Sequence, residues 1–409
     1  QEADAQAGSG ASLDVDLRHS LDALGYASSG EGGTLEDASV RPDPKDKIGA
    51  WEETLLGWGM VRAGMHERSL PVFRAVIARD PASVNARQGL VTALRDLERQ
   101  EEALVELRAL VALPAPGARS FVLLAEVQRS LESEDWRPAL ARAKELDPRD
   151  PQPWCREGDW TGAEGAWALA RAAYEQALVL DEHYADAWLG LANIEHENGR
   201  EQEAFELLQR AVEADPLSFD ARYSLGVQCE VLARPDEALA HYERAAELDD
   251  EDAEACVRAA NLHLRANRTD AAREAYERAL ARSPENFSAN YNLGQLEFQA
   301  ANFAAAAARL EVACRLDPGH SEAWRKRMMA CRSGKDLGAA AEAAERLLAL
   351  LPDDVQALMT SAVTLAALGR ESAALPRLER ARSLDPERVQ NRAKQDGELA
   401  ELLARLLRH

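Results

Sequence analysis

The residues best suited to chemistry in this chain of 409 residues are eight histidines, five cysteines and one Gly-Lys pair. A zinc protease would need two histidines one helical turn apart in an HExxH motif, and the sequence contains none. His196 stands between Glu195 and Glu197 on a predicted helix face, where we expect it to be solvated because a metal site needs converging ligands. Gly334-Lys335 lacks the upstream glycine of a phosphate-binding P-loop. The sequence therefore predicts no metal, nucleotide or other cofactor.

The cysteines do not form a recognisable reactive or metal-binding motif. They are too sparse for a disulfide scaffold and include no CxxC or CxxCH, which excludes zinc-ribbon, thioredoxin-like and c-type haem sites. Cys331 starts a Cys-Arg-Ser-Gly run similar to a phosphatase loop, but a second Arg at the required spacing is missing. Cys314 and Cys331 lie on consecutive predicted helices, about a turn and a half out of register for a disulfide. Cys155 stays a candidate for an intermolecular contact. Because none of these residues forms a catalytic motif, we expect no enzyme activity.

The composition indicates packed helices with an acidic surface. Hydrophobic residues make up 46% of the chain but aromatic residues only 5%, which is typical of helices rather than of a sandwich or barrel. The formal net charge of −23 disfavours binding to nucleic acid and to anionic membrane surfaces. No apolar run approaches the ~20 residues that span a bilayer, so membrane insertion is not expected. Residue 1 is Gln and no signal sequence follows, from which we expect a processed or truncated chain.

An internal repeat organises the chain from Ala185 onwards, where the same residue types recur every 34 residues. Small residues recur at repeat positions 8, 20 and 27, and larger ones at positions 4, 7 and 24. Position 20 is alanine in six consecutive copies: Ala204, Ala238, Ala272, Ala306, Ala340 and Ala374. Prolines follow the second half of most copies, at Pro216, Pro284, Pro318, Pro352 and Pro386. Small residues let two helices approach closely and proline stops the second one, so each repeat is predicted to be a helical hairpin.

This pattern resembles the tetratricopeptide repeat (TPR) family in its spacing, residue sizes and stop signal. The resemblance implies an all-α, right-handed superhelical solenoid, with about ten repeats over residues 50–388. Trp136 stands where alanine is expected, and Gly158, Gly162 and Gly165 weaken the following hairpin, so we expect irregular stacking around residues 117–165.

Both ends of the chain differ from the repeats. Residues 389–409 are predicted to form a C-terminal helix that either caps the last repeat or docks a partner. Its apolar stripe is Leu399, Leu402, Leu403 and Leu406. Residues 1–49 are predicted to be an acidic, Gly/Ser-rich arm with one short amphipathic helix. Its apolar residues are Leu13, Leu17, Leu21, Leu24 and Tyr26.

The segments Leu21–Tyr26 and Arg41–Ile48 are similar to the junction that joins bacterial sulfatases, and related alkaline-phosphatase-type hydrolases, to a C-terminal TPR tail. This resemblance implies an exported protein, periplasmic or extracellular. The sulfatase signature for the formylglycine nucleophile, Cys or Ser followed by x-Pro-Ser-Arg, is absent. No catalytic residue is therefore carried over.

The TPR resemblance implies that the first helix of each hairpin lines a concave groove. The expected lining is Tyr223, Val227, Asn261, Tyr291, Asn292, Gln295, Phe298 and Lys326. Aromatic, amide and aliphatic side chains together suit an extended peptide or a helix. Three of these residues also match positions of the carboxylate clamp of some co-chaperone members, but Val257 and Glu322 occupy the other two positions.

Three functions remain open, all of them non-catalytic. The favoured one is head-to-tail self-association of an exported protein into a polymer or filament, because a solenoid with unlike ends can stack without closing. Residues 1–50 carry ten acids against four bases, whereas bases outnumber acids from residue 377 onwards. The alternatives are an accessory C-terminal region of a sulfatase-like hydrolase, and a soluble adaptor that binds a peptide in its groove.

Overall fold

The computed structural model describes residues 44–132 and 136–408, and within them the chain is all α-helical, with 22 helices and no strand. Residues 1–43 of the predicted arm, with Leu13, Leu17, Leu21, Leu24 and Tyr26, lie outside the described residues, whereas residues 44–49 belong to a helix that begins at Pro44. Most of the sulfatase-like junction lies outside them too.

The helices fall into two compact units, residues 1–182 and 183–409. Unit 1 contains α1 (Pro44–Arg62), α2 (His66–Arg79), α3 (Val84–Asp96), α4 (Gln100–Val111), α5 (Ala118–Ser130), α6 (Trp136–Leu146), α7 (Gln152–Ala163) and α8 (Trp167–Leu180). Unit 2 contains α9 (Ala185–Glu197), α10 (Glu201–Ala214), α11 (Phe219–Val231), α12 (Pro235–Leu248), α13 (Glu254–Arg265), α14 (Thr269–Arg282), α15 (Phe287–Gln299), α16 (Phe303–Leu316), α17 (Ser321–Ser333), α18 (Leu337–Leu350), α19 (Val355–Ala367), α20 (Glu371–Leu384), α21 (Pro386–Ala393) and α22 (Gly397–Leu406).

Consecutive helices pair into hairpins, four in unit 1 and six in unit 2, so the prediction of about ten repeats is confirmed. Each hairpin turn contains one residue with a left-handed backbone. These residues are Gly64, Glu98, Glu132, Gly165, Gly199, Ala233, Asn267, Ala301, Lys335 and Gly369. A left-handed residue just after a helix redirects the chain, and glycine adopts that conformation without steric cost. The 34-residue period is thus marked by backbone geometry as well as by residue type.

Close approach of the two helices in a hairpin depends on a glycine that faces a large side chain. A Cβ atom added to Gly226 of α11 would lie 2.7 Å from Cε1 of Tyr242, whose side chain is fully buried. Gly158 faces Tyr174 in the same way, and Gly294 faces Leu310. The glycine removes the Cβ that would otherwise separate the helices, and the large residue fills the space between them. In these hairpins the small residue of the first helix and the large residue of the second helix therefore pack against each other.

In the segment expected to stack irregularly, the helices themselves are regular, but α6 and α7 contact each other less than α2 and α3 or α4 and α5 do. Helix α7 is continuous through Gly158 and Gly162, because Gly158 accommodates the Tyr174 ring and the helix ends only at Ala163. Trp136, at the alanine position of its repeat, is 1% exposed and packs edge-to-face on Trp160, with 5.0 Å between ring centroids. The core accommodates the larger side chain by an aromatic pair.

The C-terminal leucines pack inside the chain. Leu399 and Leu402 are 1% and 2% exposed, and α22 contacts both α19 and α20. Leu403 and Leu406 are partly buried against the same core. Helix α22 therefore covers the last hairpin, and these leucines do not present a free docking face.

We predict opposite effects for two glycine-to-alanine substitutions inside helices. Gly226→Ala should lower the free energy of unfolding by about 1–3 kcal/mol, because its Cβ would overlap the Tyr242 ring. Gly338→Ala should raise it by roughly 0.5–1 kcal/mol, because its Cβ meets nothing closer than Asp336 Oδ1 at 3.6 Å and alanine favours the helix. Urea unfolding followed by circular dichroism measures both values. Equal effects would contradict the packing described.

A second pair of substitutions tests the turns. Ala301→Gly should raise the free energy of unfolding by about 0.5–1 kcal/mol, because Ala301 is exposed and has φ of 60°, where a Cβ is strained. Gly199→Ala, with φ of 71°, should lower it by about 1 kcal/mol. Thermal unfolding of the two variants checks the sign of each change, and a destabilised Ala301→Gly variant would contradict this account.

Candidate functional site

The predicted groove residues share one setting in unit 2. They lie on the first helices of four consecutive hairpins, α11, α13, α15 and α17, and every one of them is half-buried. We call this surface the first-helix face; it comprises Tyr223, Val227, Asn261, Tyr291, Asn292, Gln295, Phe298 and Lys326. Half-buried side chains are held by the core yet reach the surface, which suits recognition of a ligand.

Two aromatic pairs give the first-helix face fixed ring positions. Tyr223 stacks on Phe219 with 5.7 Å between ring centroids and also contacts the ring of Tyr242. Tyr291 stacks on Phe287 at 5.8 Å, and His320 packs against both rings. Stacked partners limit the rotamers of the exposed tyrosines, so a ligand would lose little side-chain entropy on contacting them.

A hydrogen-bonded trio holds the amides of the first-helix face in place. Asn261 Oδ1 accepts hydrogen bonds from Tyr276 Oη and, at 3.1 Å, from Asn292 Nδ2. Burial raises the pKa of Tyr276 to about 12, so its hydroxyl remains a donor at neutral pH. The Asn261 Nδ2 group and the Asn292 Oδ1 atom make no hydrogen bond with a described residue. One donor and one acceptor therefore remain for a peptide backbone.

The carboxylate-clamp positions are not assembled into a cation site. Lys326 Nζ lies 3.8 Å from Glu322 Oε1, and Glu322 also accepts a hydrogen bond from Arg325 at 2.8 Å. Arg325 is further paired with Asp354 at 2.8 Å. An acid thus occupies the place where the terminal carboxylate of a ligand would have to bind.

Two exposed arginines lie on α21, and one of them, Arg392, shares a cavity with Arg325, Met329 and Arg332 of α17. Arg388 and Arg392 lie one turn apart and have no ion pair with any described residue. Arg392 borders two cavities, of about 440 Å³ and 320 Å³, that share Gln356 as a lining residue. The larger cavity is also lined by Arg388 and by the acids Asp385 and Glu387. By contrast, Arg332, in the smaller cavity, is paired with Glu398 at 2.8 Å.

Sequence reasoning missed Arg388 and Arg392 as candidate site residues. The available signal was the excess of bases after residue 377, which we interpreted as a property of the chain end. Both arginines line a cavity with Gln356 of α19, and Arg392 lines a second one with Met329 of α17. The Asp385 carboxylate accepts a hydrogen bond from the backbone of Arg388 and starts that helix.

The described residues offer little for catalysis. Cys314 and Cys331 are buried free thiols, and burial raises the pKa of Cys314 to about 12. His196 Nδ1 lies 2.8 Å from Glu201 Oε2 on an exposed surface. No group of three or more His, Cys, Asp or Glu in the described ranges could hold a metal ion. No helix in residues 44–132 or 136–408 is both long and apolar enough to cross a membrane.

Comparison with a family model identifies tetratricopeptide repeats in residues 162–218, 206–253 and 257–321. Among curated proteins, the chain is similar to Anaphase-promoting complex subunit 3 of Schizosaccharomyces pombe, with 23% identity over 56% of this chain and 35% of that protein. Protein CTR9 homolog of Arabidopsis thaliana is 28% identical over 34% of this chain and 13% of its own. Protein O-mannosyl-transferase TMTC1 of Homo sapiens is 23% identical over 39% of this chain and 19% of its own. The chain thus spans about a third or less of the curated relatives it matches.

Solved structures include similar chains as well. The crystal structure of YrrB, a TPR protein with an unusual peptide-binding site, has 26% identity and a TM-score of 0.38, covering 48% of this chain and 98% of its own. The crystal structure of MamA protein has 19% identity and a TM-score of 0.38, covering 42% of this chain and 94% of its own.

The amide trio generates a stability prediction. Asn261→Ala should lower the free energy of unfolding by about 1–2 kcal/mol, because Tyr276 Oη loses its acceptor in a largely buried place. The double variant Asn261→Leu with Tyr276→Phe should recover most of that loss, because no unpaired buried hydroxyl remains. Chemical unfolding of both variants measures the difference. A double variant as unstable as Asn261→Ala would show that the hydrogen bond is not the cause.

Proposed function

We propose that this tetratricopeptide-repeat chain, a protein-interaction scaffold, binds an extended acidic peptide along the first-helix face of unit 2. The observation that carries the proposal is the pair of exposed arginines Arg388 and Arg392 on α21, of which Arg392 shares a cavity with α17, the last helix of that face. They stand out because the neighbouring cations Arg325, Arg332 and Lys326 all have carboxylate partners.

The first-helix face supports an extended ligand rather than a small molecule. Tyr223 on α11 and Tyr291 on α15 belong to hairpins separated by a whole repeat, and Asn261 lies on α13 of the repeat between them. A ligand that contacts the tyrosines, the amides and Arg392 must run along several hairpins. An extended peptide can do this, because its backbone pairs with the amides and its side chains pack against the rings.

The charge distribution supports an acidic ligand. The chain has a net charge of −23, so most of its surface repels acidic peptides. Exposed arginines with no carboxylate within salt-bridge distance can pair with the carboxylates of an acidic segment and so favour it over a neutral one. Arginine also binds carboxylates in a bidentate geometry.

Head-to-tail self-association, which the sequence favoured, is a weaker proposal in this setting. Leu399 and Leu402 are buried under the last hairpin, so stacking through them would require α22 to detach. Assembly into an extracellular filament, export and a sulfatase-like origin stay predictions from the sequence. Self-association would fit the same proposal if residues 1–43 of a second copy bound this face as the acidic peptide.

Charge reversal tests the proposed function. A fluorescein-labelled dodecapeptide that alternates Glu with Leu or Tyr should bind the full chain, and its counterpart with Lys in place of Glu should not. Arg388→Glu with Arg392→Glu should weaken binding of the acidic peptide about tenfold, since two exposed ion pairs are replaced by repulsion. Fluorescence anisotropy at low and high salt measures the affinity, which should fall as salt screens the charges.

The matched control reverses two exposed arginines on second helices, Arg346→Glu and Arg382→Glu. It changes the net charge by the same amount but leaves the first-helix face intact, so it should keep most of the affinity. Equal loss in both double variants would show that binding follows net charge alone and would overturn the proposed site. Binding of the Lys peptide in preference to the Glu peptide would also overturn it.

A further inference from the structure

Helix α1 of unit 1 has an uncovered apolar stripe. Ile48, Trp51 and Leu55 are 49%, 37% and 45% exposed, and they follow one another at helical spacing. Leu56 borders the stripe and is 55% exposed. Gly59 continues it with open space where a Cβ would stand. A second helix could therefore approach α1 closely along this side.

The other side of α1 is already packed. Thr54 and Val61 are buried, and a Cβ on Gly57 would lie 2.6 Å from the Phe73 ring of α2. Trp58 packs edge-to-face on the same ring, with 6.0 Å between centroids. A helix that is apolar on both sides is typical of an interior position between two neighbours. Among the described residues, α1 has a neighbour on one side only.

The first helices of the next two hairpins show which kind of element packs at the corresponding place. Helix α3 packs between α2 and α4, and α5 packs between α4 and α6. Each is thus covered by the second helix of the preceding hairpin as well as by its own partner. At the opposite end of the chain, the last hairpin is covered by α22. The stripe on α1 occupies the place where a preceding helix would pack.

We propose that residues 12–26 of the same chain form this covering helix. Leu13, Leu17, Leu21 and Leu24 fall within ~80° of one another on a helix of 3.6 residues per turn, which gives an apolar stripe matched to that of α1. The segment lies outside the described residues, and in the sequence residues 27–43 separate it from the start of α1. Its role would be to cap the first hairpin.

The length of the connection fits this occupant. Residues 27–43 separate Tyr26 from Pro44, and their Gly/Ser-rich composition gives a typical end-to-end distance of ~20–25 Å. Helix α1, with 19 residues, is ~28 Å long. The connection can therefore place residues 12–26 alongside α1. A connection of this length corresponds to an effective concentration of order millimolar, so the segment of the same chain competes well against a second copy at micromolar concentration.

Hydrogen–deuterium exchange on the full chain tests the cap. Leu17→Asp with Leu21→Asp should speed amide exchange in residues 44–62 by about tenfold or more, because α1 opens more often once its outer face is exposed to water. The matched control is Val15→Asp with His19→Asp, which adds two acids to the opposite side of the predicted helix and should leave that exchange unchanged. Exchange in α11–α20 serves as the internal reference for an intact fold.

Three results would overturn the proposal. The first is unchanged exchange of residues 44–62 in the Leu17→Asp, Leu21→Asp variant with the reference helices intact. The second is equal acceleration in the control variant, which would indicate a general charge effect. The third is protection of α1 that rises with protein concentration together with a dimer in sedimentation velocity, which would make a second copy the occupant. A monomer whose α1 is deprotected only by the leucine substitutions supports the proposal.

Discussion

The whole fold depends on one contact, in which a glycine or alanine on the first helix of a hairpin faces a large side chain on the second. Gly226 against Tyr242 and Gly158 against Tyr174 show its geometry, since a single added Cβ would overlap the ring. Where a hairpin closes by this contact, its two helices are fixed relative to each other, and similar hairpins can stack regularly. The spacing of the half-buried Tyr223 and Tyr291 in unit 2, two repeats apart, follows from this stacking.

Much of this architecture could be predicted from the sequence, because the contact needs small residues at fixed spacing and leaves a visible period. The number of hairpins and the proline stops were accessible in that way. Irregular stacking is expected from Gly158, Gly162 and Trp136; the contact between α6 and α7 is indeed reduced, yet helix α7 itself continues through both glycines and Trp136 pairs with Trp160. Composition alone cannot tell a helix-weakening glycine from one that makes room for a tyrosine, because the difference lies in the partner.

The candidate site was only partly accessible from the sequence. Family spacing located Tyr223, Asn261 and Tyr291 on the first-helix face, but whether a cation there is free depends on its neighbours in space. Lys326 is paired with Glu322, whereas Arg392, outside the repeats, is unpaired. An apolar stripe such as Leu399 to Leu406 looks the same whether it caps or docks, and only burial distinguishes the two. The two chain ends thus contrast, since α22 covers the last hairpin and α1 has an open apolar side.

Binding of an acidic peptide to the first-helix face can be mapped by hydrogen exchange. Hydrogen exchange of the full chain should be compared with and without a saturating acidic dodecapeptide. We expect the peptide to slow amide exchange in the first helices α11, α13, α15 and α17 and in α21. Exchange in the second helices α12, α14, α16 and α18 should stay unchanged. Protection confined to the second helices or to α1, or none at saturation, would contradict this expectation.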